Sequence, residues 1–165
     1  MLIREARVDD AAALLSAEKE TARTPGLLVS SPHELVLEAF EQKIAELATR
    51  GRYIVAEVDG GIVGHAFLEP MPLMANAHVF RLTIVVHPGF IGRGIGTALM
   101  QDLIDWAKRT PRIEKLELLV RATNERAIRL YSKLGFIEEG RFLKRVRLPN
   151  GKYVDDLAMA WFPER

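Results

Sequence analysis

One stretch of the sequence places a buried strand, a glycine-rich turn and the start of a helix in direct succession. It reads LTIVVHPGFIGRGIGTAL at residues 82–99, with glycines at 89, 92, 94 and 96. Such a turn leaves backbone N–H groups unpaired at the positive end of the helix, and the missing side chains let an anion approach them closely. The sequence therefore predicts a main-chain site for phosphate groups between a sheet strand and a helix.

Two common glycine-rich phosphate sites do not fit this turn. The nucleoside-triphosphate loop ends in Gly-Lys followed by Ser or Thr, whereas here Gly94 is followed by Ile95 and Gly96 by Thr97. The dinucleotide-binding pattern requires a glycine or alanine three residues after its second glycine, and Gly94 has Thr97 at that place. The turn therefore belongs to another class of phosphate site.

The turn resembles the diphosphate-binding motif of the acetyltransferase (GNAT) family. That motif is commonly Gln or Arg, any two residues, Gly, any residue, and then Gly or Ala. Gly94 and Gly96 match the glycine pair, whereas Ile91 stands at the Gln or Arg position. Ile91 removes a polar side chain but leaves the backbone amides of the turn in place.

A second segment resembles another signature of the same family, in which a strand is followed by Asn, then Ala, then Tyr, then Gly-Phe. Residues 118–124, LLVRATN, lead into residues 127–136, AIRLYSKLGF, with Asn124 and Tyr131 at the signature positions. The two segments occur in the family's order, with the expected element between them. The resemblance covers residues 53–162 by motif and the first fifty residues by pattern alone.

The predicted elements follow the order β-α-α-β-β-β-α-β-α-β-β, which indicates a mixed sheet with helices on its faces. The resemblance implies a fold that combines helices and strands, of the α/β (α+β) class. Its mixed, mostly antiparallel sheet would have about seven strands, with four helices and a splayed parallel strand pair that holds CoA. We expect one domain over residues 1–165, with a second helix that begins at Ser31 or Pro32.

The resemblance implies that acetyl-CoA is the acetyl donor and that main-chain groups hold most of it. The pantetheine arm of CoA would lie between the strands that end at Val86 and Val120, and an amide near Val86 would polarise the thioester carbonyl. Asn124 would hydrogen-bond the arm, although an asparagine here is also typical of a plain helix N-cap. The implied donor-binding residues are Ile84, Val85, Val86, Gly92, Arg93, Gly94, Ile95, Gly96, Thr97 and Asn124.

Two side chains are the candidates for proton transfer. Tyr131 lies seven residues after Asn124, hence about two helical turns along the same face, and is the candidate general acid for the leaving thiolate. Glu117 is a carboxylate within an apolar strand and is the candidate general base. The alternatives are a buried structural tyrosine and a solvated or salt-bridged glutamate, with Glu69, His78 or bulk water as other bases.

Composition narrows the remaining classes of protein. There is no cysteine to form disulfides or act as a nucleophile, and no pair of the four histidines has a metal-ligand spacing, so we expect no metal. The net charge of +1 gives no overall field that would favour nucleic acid. Because no apolar run reaches the roughly 18 residues of a spanning helix, we expect a cytoplasmic protein without a membrane partner.

We therefore expect an acetyl-CoA-dependent N-acetyltransferase that moves an acetyl group to a primary amine by direct attack in a ternary complex. The segment from Gly140 to Asp156 resembles the branch of the family that acetylates free amino acids and related small molecules, which makes a small-molecule amine the first choice of acceptor. An enzyme that acetylates protein N-termini and a non-catalytic CoA-binding sensor stay open as alternatives. Whether the chain forms a homodimer is also open.

Overall fold

The computed structural model describes residues 1–164, which form seven strands and four α-helices. The strands are β1 Leu2–Glu5, β2 Arg52–Val58, β3 Gly61–Pro70, β4 Val79–Val86, β5 Lys115–Arg121, β6 Ile137–Arg147 and β7 Tyr153–Trp161. The helices are α1 Ala11–Ala22, α2 Leu37–Arg50, α3 Ile95–Lys108 and α4 Glu125–Lys133. The order of strands and helices along the chain is the predicted one.

All seven strands belong to one sheet, in the order β1-β2-β3-β4-β5-β7-β6. Each neighbouring pair is antiparallel except β4 and β5, which are parallel. The crossover between these two strands runs through α3, as a parallel connection requires. The predicted fold class, a mixed and mostly antiparallel sheet with four helices and one parallel pair, is confirmed.

Helices cover both faces of the sheet and divide the core in two. Apolar residues of α3 recur at helical spacing and pack against one face together with the inner side chains of β2 to β5 and β7. The helices α1 and α2 cover the opposite face, where Leu14, Phe40 and Ile44 contact Tyr53 and Val55. The sheet therefore presents the end of β4 between two layers of helix.

The second helix begins later than the sequence predicts. Ser31 starts a single turn of 3-10 helix over Pro32–Glu34, and its backbone N–H donates to the Glu34 carboxylate at 2.7 Å. Leu35 and Val36 are then extended, so α2 begins only at Leu37. The prediction of a start at Ser31 or Pro32 was wrong because this capping interaction closes one isolated turn.

None of the helices within residues 1–164 is both long enough and apolar enough to cross a lipid bilayer. The longest α-helices, α2 and α3, have 14 residues each.

Candidate active site

The parallel strands β4 and β5 separate before either of them ends. Their pairing runs from Val79–Lys115 to Arg81–Glu117, while β4 continues to Val86 and β5 to Arg121. On its other side β4 stays paired with β3 as far as Val86. The edge of β4 that faces β5 therefore carries backbone N–H and C=O groups without a strand partner, which can hydrogen-bond an extended ligand.

The glycine-rich turn follows β4 and leads into α3. Gly89, Gly92 and Gly94 have φ values of 81°, 94° and 81°, a backbone region that residues with a Cβ rarely adopt. Gly94 is the N-cap of α3, and no side chain caps the first turn of this helix. The N–H groups at the start of α3 are therefore open to an anion, as the sequence predicted.

A cavity of about 300 Å³ lies where the open edge of β4, the turn and α4 meet. Its wall contains most of the residues predicted to bind the donor and also the predicted acid. It is lined by Thr21, Leu27, Leu28, Ile84, Val85, Val86, Ile91, Gly92, Gly94, Gly96, Thr97, Asn124, Arg126, Ala127, Leu130 and Tyr131. The structure thus brings residues from three separate stretches of the chain to one site.

Two of the residues predicted to bind the donor direct their side chains away from the cavity. Ile95 is buried in the core against the sheet, and the Arg93 guanidinium lies over the ring of Phe90 at 5.2 Å from its centroid. Neither side chain lines the cavity. For these two residues only the backbone N–H is available to a phosphate group, which is the role expected of a main-chain site.

Asn124 is both the N-cap of α4 and a wall residue of the cavity. Its Oδ1 accepts a hydrogen bond from the Ala127 backbone N–H at 3.2 Å. Its Nδ2 makes no hydrogen bond with any residue from 1 to 164. The cap occupies one end of the amide and leaves the donor end free for a ligand.

Tyr131 lies in the wall of the cavity with only 7% of its surface exposed. Its ring packs against Phe136 at a centroid distance of 5.9 Å. Burial raises the pKa of Tyr131 to about 12, so the phenol keeps its proton at neutral pH. Tyr131 can therefore donate a hydrogen bond into the cavity.

Glu117 does not reach the cavity. Successive residues of a strand face opposite sides of the sheet, and on β5 Leu116 and Leu118 face the core shared with α3. Glu117 faces the other side, where its carboxylate lies 3.5 Å from the Arg81 guanidinium and 3.7 Å from the Lys115 ammonium. Glu117 is therefore salt-bridged in the structure, which was the alternative to its role as a general base.

A buried chain of hydrogen bonds close to the cavity was missed at the sequence level. Glu18 Oε1 lies 2.8 Å from His65 Nε2, and His65 Nδ1 lies 2.9 Å from His87 Nε2. His87 Nδ1 lies 3.0 Å from the carbonyl oxygen of Ile62. In the sheet His65 is the direct partner of Val85, a wall residue of the cavity.

The carbonyl at the end of this chain fixes where its protons lie. Ile62 O can only accept, so His87 Nδ1 carries a proton and His87 Nε2 accepts from His65 Nδ1. The other nitrogen of His65 lies beside the Glu18 carboxylate, which ends the chain of hydrogen bonds. Burial, followed by the nearby His65, lowers the pKa of His87 to about 4, which keeps His87 neutral.

Comparisons with known proteins agree with this geometry. The model of the family described as "Acetyltransferase (GNAT) family" matches residues 13–136. An L-amino acid N-acetyltransferase of Escherichia coli is 36% identical over 109 residues, which are 66% of this chain and 67% of that protein. A spermidine N(1)-acetyltransferase of Vibrio cholerae is 26% identical over 118 residues, 72% of this chain and 66% of that protein.

A solved structure with the same fold extends the match to the whole chain. It is described as a ribosomal-protein-alanine N-acetyltransferase from Brucella melitensis, and it is 29% identical with a TM-score of 0.87. The superposition covers 98% of this chain and 99% of that one. The two curated relatives above are matched over about two thirds of their own length. Together these matches confirm the resemblance drawn from the two sequence motifs.

Proposed function

Because the chain belongs to the acetyltransferase (GNAT) family, we propose that it transfers the acetyl group of acetyl-CoA to the primary amine of an amino acid or a related small molecule. The family match also confirms the expected class of enzyme, an acyltransferase whose acetyl donor is acetyl-CoA. One observation carries the proposal: the open edge of β4, the amides of the glycine-rich turn, Asn124 and Tyr131 all meet at one cavity. We assign the whole activity to one domain, residues 1–165, in the cytoplasm.

The donor is held mainly by backbone groups in this proposal. The turn amides of residues 92–97 bind the diphosphate of CoA at the positive end of α3. The pantetheine arm lies along the free edge of β4, at Ile84 to Val86, where it takes the place of the missing strand. The free Nδ2 of Asn124 donates to a carbonyl of the arm. The thioester then lies beside Val86, whose amide polarises its carbonyl.

The reaction is one direct transfer between two bound substrates. The neutral amine nitrogen attacks the thioester carbonyl carbon, the C–S bond breaks, and CoA leaves as a thiolate. The sulfur takes a proton from Tyr131, which is restored from solvent, while the excess proton of the amine passes to water. No acyl-enzyme is involved, since the chain has no cysteine and no serine in a nucleophile-elbow context.

Tyr131 first stabilises the sulfur through a hydrogen bond while charge develops there, and the proton follows. An ordinary thiol has a pKa of about 8.5, so complete proton transfer from a phenol at about 12 costs about 5 kcal/mol. Apolar surroundings raise the pKa of a thiol as well, which narrows this gap inside the cavity. The leaving thiolate is therefore stabilised as it forms and is protonated before it escapes.

The acceptor side is formed by the acceptor loop, residues 23–31, and the last hairpin, which joins β6 to β7. A groove of about 520 Å³ lies between them, and Leu28 lines both this groove and the cavity. A Cβ added at Gly26 would lie 3.4 Å from the Leu148 side chain, so the loop and the hairpin are in contact. The loop and the hairpin therefore form the two walls of one groove.

The charge of the groove supports an amino acid as the acceptor. Arg147 lines the groove together with Ser30 and Ser31 and can pair with a carboxylate. Within residues 1–164, neither the groove nor the cavity is lined by an Asp or Glu side chain. A polyamine carries several ammonium groups and would meet no opposite charge on these walls.

Release of free thiol from acetyl-CoA tests the proposal against a panel of amino acids, polyamines and short peptides with free N-termini. We expect the highest kcat/KM among the amino acids, and we expect Arg147→Gln to raise KM for them while leaving KM for acetyl-CoA unchanged. A preference for peptides would favour an enzyme of protein N-termini. Binding of acetyl-CoA without turnover on any acceptor, and without a change in Tyr131→Phe, would favour a sensor and contradict the proposal.

A further inference from the structure

Arg126 reaches from the first turn of α4 to the glycine-rich turn. An ideal Cβ on Gly92 would lie 3.1 Å from Arg126 Nη2 and 3.5 Å from Nη1, so the guanidinium occupies the space beside Gly92 that a side chain would fill. Arg126 and Gly92 both line the cavity, next to Gly94 and Gly96. The guanidinium therefore lies beside the turn amides, which form the positive end of α3.

The charge of Arg126 is not neutralised by the protein. Within residues 1–164, Arg126 makes no ion pair and no hydrogen bond, and its side chain is exposed. Its neighbour Arg129, on the same helix, pairs with Glu125 at 3.1 Å. An unpaired guanidinium held against a group of free N–H donors leaves a site with a strong preference for an anion.

The turn itself contributes no side-chain charge to the cavity. Ile91 stands where a polar side chain would be expected from the motif, and Arg93 lies over Phe90 instead of facing the cavity. Among the residues that the structure describes, Arg126 is the one cation that lines the cavity. The positive side-chain charge beside the turn thus comes from Arg126 on α4.

We propose that Arg126 binds the diphosphate of CoA through charge-assisted hydrogen bonds and supplies the polar side chain that the turn lacks at Ile91. This inference rests on the proposed function, because it assumes that CoA is the ligand of the cavity. The planar guanidinium can donate two parallel hydrogen bonds to one phosphate group while the turn amides bind the other. Gly92 leaves room for this guanidinium, because a Cβ 3.1 Å from Nη2 would push the end of the Arg126 side chain slightly aside.

The test compares Arg126→Gln with Arg129→Gln, which removes the same charge from the same helix outside the cavity. For each variant kcat/KM is measured with three donors: acetyl-CoA, acetyl-dephospho-CoA without the 3′-phosphate, and S-acetyl-pantetheine without any phosphate. We expect Arg126→Gln to lower kcat/KM by about tenfold or more for both donors that contain the diphosphate. With S-acetyl-pantetheine it should equal the wild type, and Arg129→Gln should equal the wild type with all three donors.

Three results would overturn the inference. An equal loss with all three donors would mean that Arg126 shapes the cavity rather than binding phosphate. A loss confined to acetyl-CoA would assign Arg126 to the 3′-phosphate, and no loss at all would leave it without a role in binding. If the wild type uses acetyl-CoA and Arg126→Gln uses it equally well, only this inference is contradicted. If the wild type shows no turnover of acetyl-CoA, the proposed function itself is contradicted.

Discussion

The two sides of the cavity are built in different ways. In the proposed function the donor side consists of the turn at residues 89–97, the free edge of β4 and the start of α4, and its groups are mostly backbone N–H and C=O. The proposed acceptor side consists of the acceptor loop and the last hairpin, and its groups are side chains such as Arg147, Ser30 and Leu28. A backbone site depends on conformation, whereas a side-chain site depends on which residues the fold brings together.

This difference explains why one substrate could be named and the other only proposed. Glycine and asparagine mark special backbone conformations, so the donor side can be recognised from their spacing alone. The glycines of the acceptor loop and the hairpin, such as Gly26 and Gly151, mark turns but do not indicate which acceptor binds there. Variants on the donor side should therefore change the binding of acetyl-CoA, and variants on the acceptor side should change the choice of acceptor. A substitution of Tyr131 should change neither.

The largest effect on turnover is expected from Tyr131→Phe, at the point where the two sides meet. Loss of the phenol removes the proton donor to sulfur, and general acid catalysis contributes roughly 10²-fold or more to a rate. We expect kcat to fall by about that factor while the Kd for acetyl-CoA, measured by calorimetry, stays the same. Tyr153→Phe, on the exposed face of the last hairpin, is the control. An unchanged kcat would remove Tyr131 from the mechanism.

A tenfold effect is expected from Gly94→Ala on the donor side. Gly94 has a φ of 81°, which costs an L-residue about 1–2 kcal/mol and would shift the amides at the start of α3. The Kd for acetyl-CoA should rise about tenfold. Gly151→Ala is the matched control, since Gly151 has a φ of 82° and open space at its Cβ in the last hairpin. If both variants bind acetyl-CoA as the wild type does, the turn is not the donor site.

A smaller effect is expected at Asn124, where the cap and the ligand contact can be separated. Asn124→Ala should lose about 1 kcal/mol of folding stability together with affinity for acetyl-CoA, because it removes both ends of the amide. Asn124→Asp keeps the oxygen that caps α4 but loses the Nδ2 donor, so it should keep the melting temperature and raise KM for acetyl-CoA several-fold. A normal KM in Asn124→Asp would leave Asn124 as a plain N-cap.

The smallest effect is expected from the buried His87, and it concerns folding stability rather than turnover. The folded protein holds the pKa of His87 at about 4, below its ordinary value of 6.5, so the unfolded chain binds the extra proton first as the pH falls. Stability should be complete above about pH 6.5 and fall towards pH 4, with a slope of at most about 1.4 kcal/mol per pH unit. His87→Gln should flatten this slope in denaturant titrations at several pH values. An unchanged slope would mean that His87 is not the titrating group.

The fold could be predicted, and the donor side could be proposed, because their signals are local. The strand, the glycine-rich turn and the amphipathic helix α3 lie within one continuous stretch, and Asn124 and Tyr131 lie on one helical face. The start of α2 was misplaced because a real capping interaction at Ser31 closes only one turn. Local signals thus fixed the order of the elements better than their boundaries.

The side chains that act through tertiary contacts could not be predicted. Glu117 was selected because a carboxylate in an apolar strand requires a partner, but the partners are Arg81 and Lys115 on the face away from α3. Glu18 and His65 are 47 residues apart in sequence and meet only through the packing of α1 on β3. No pattern in the sequence indicates that these residues lie within hydrogen-bond distance of each other.

The most direct test of the central claim is an NMR titration that follows the backbone amides with two donors. Saturating acetyl-CoA should shift the amides of residues 92–97 and of residues 84–86. S-acetyl-pantetheine has no diphosphate, so it should shift the amides of residues 84–86 and leave those of residues 92–97 unchanged. Amides of residues 92–97 that do not move with saturating acetyl-CoA would contradict the account.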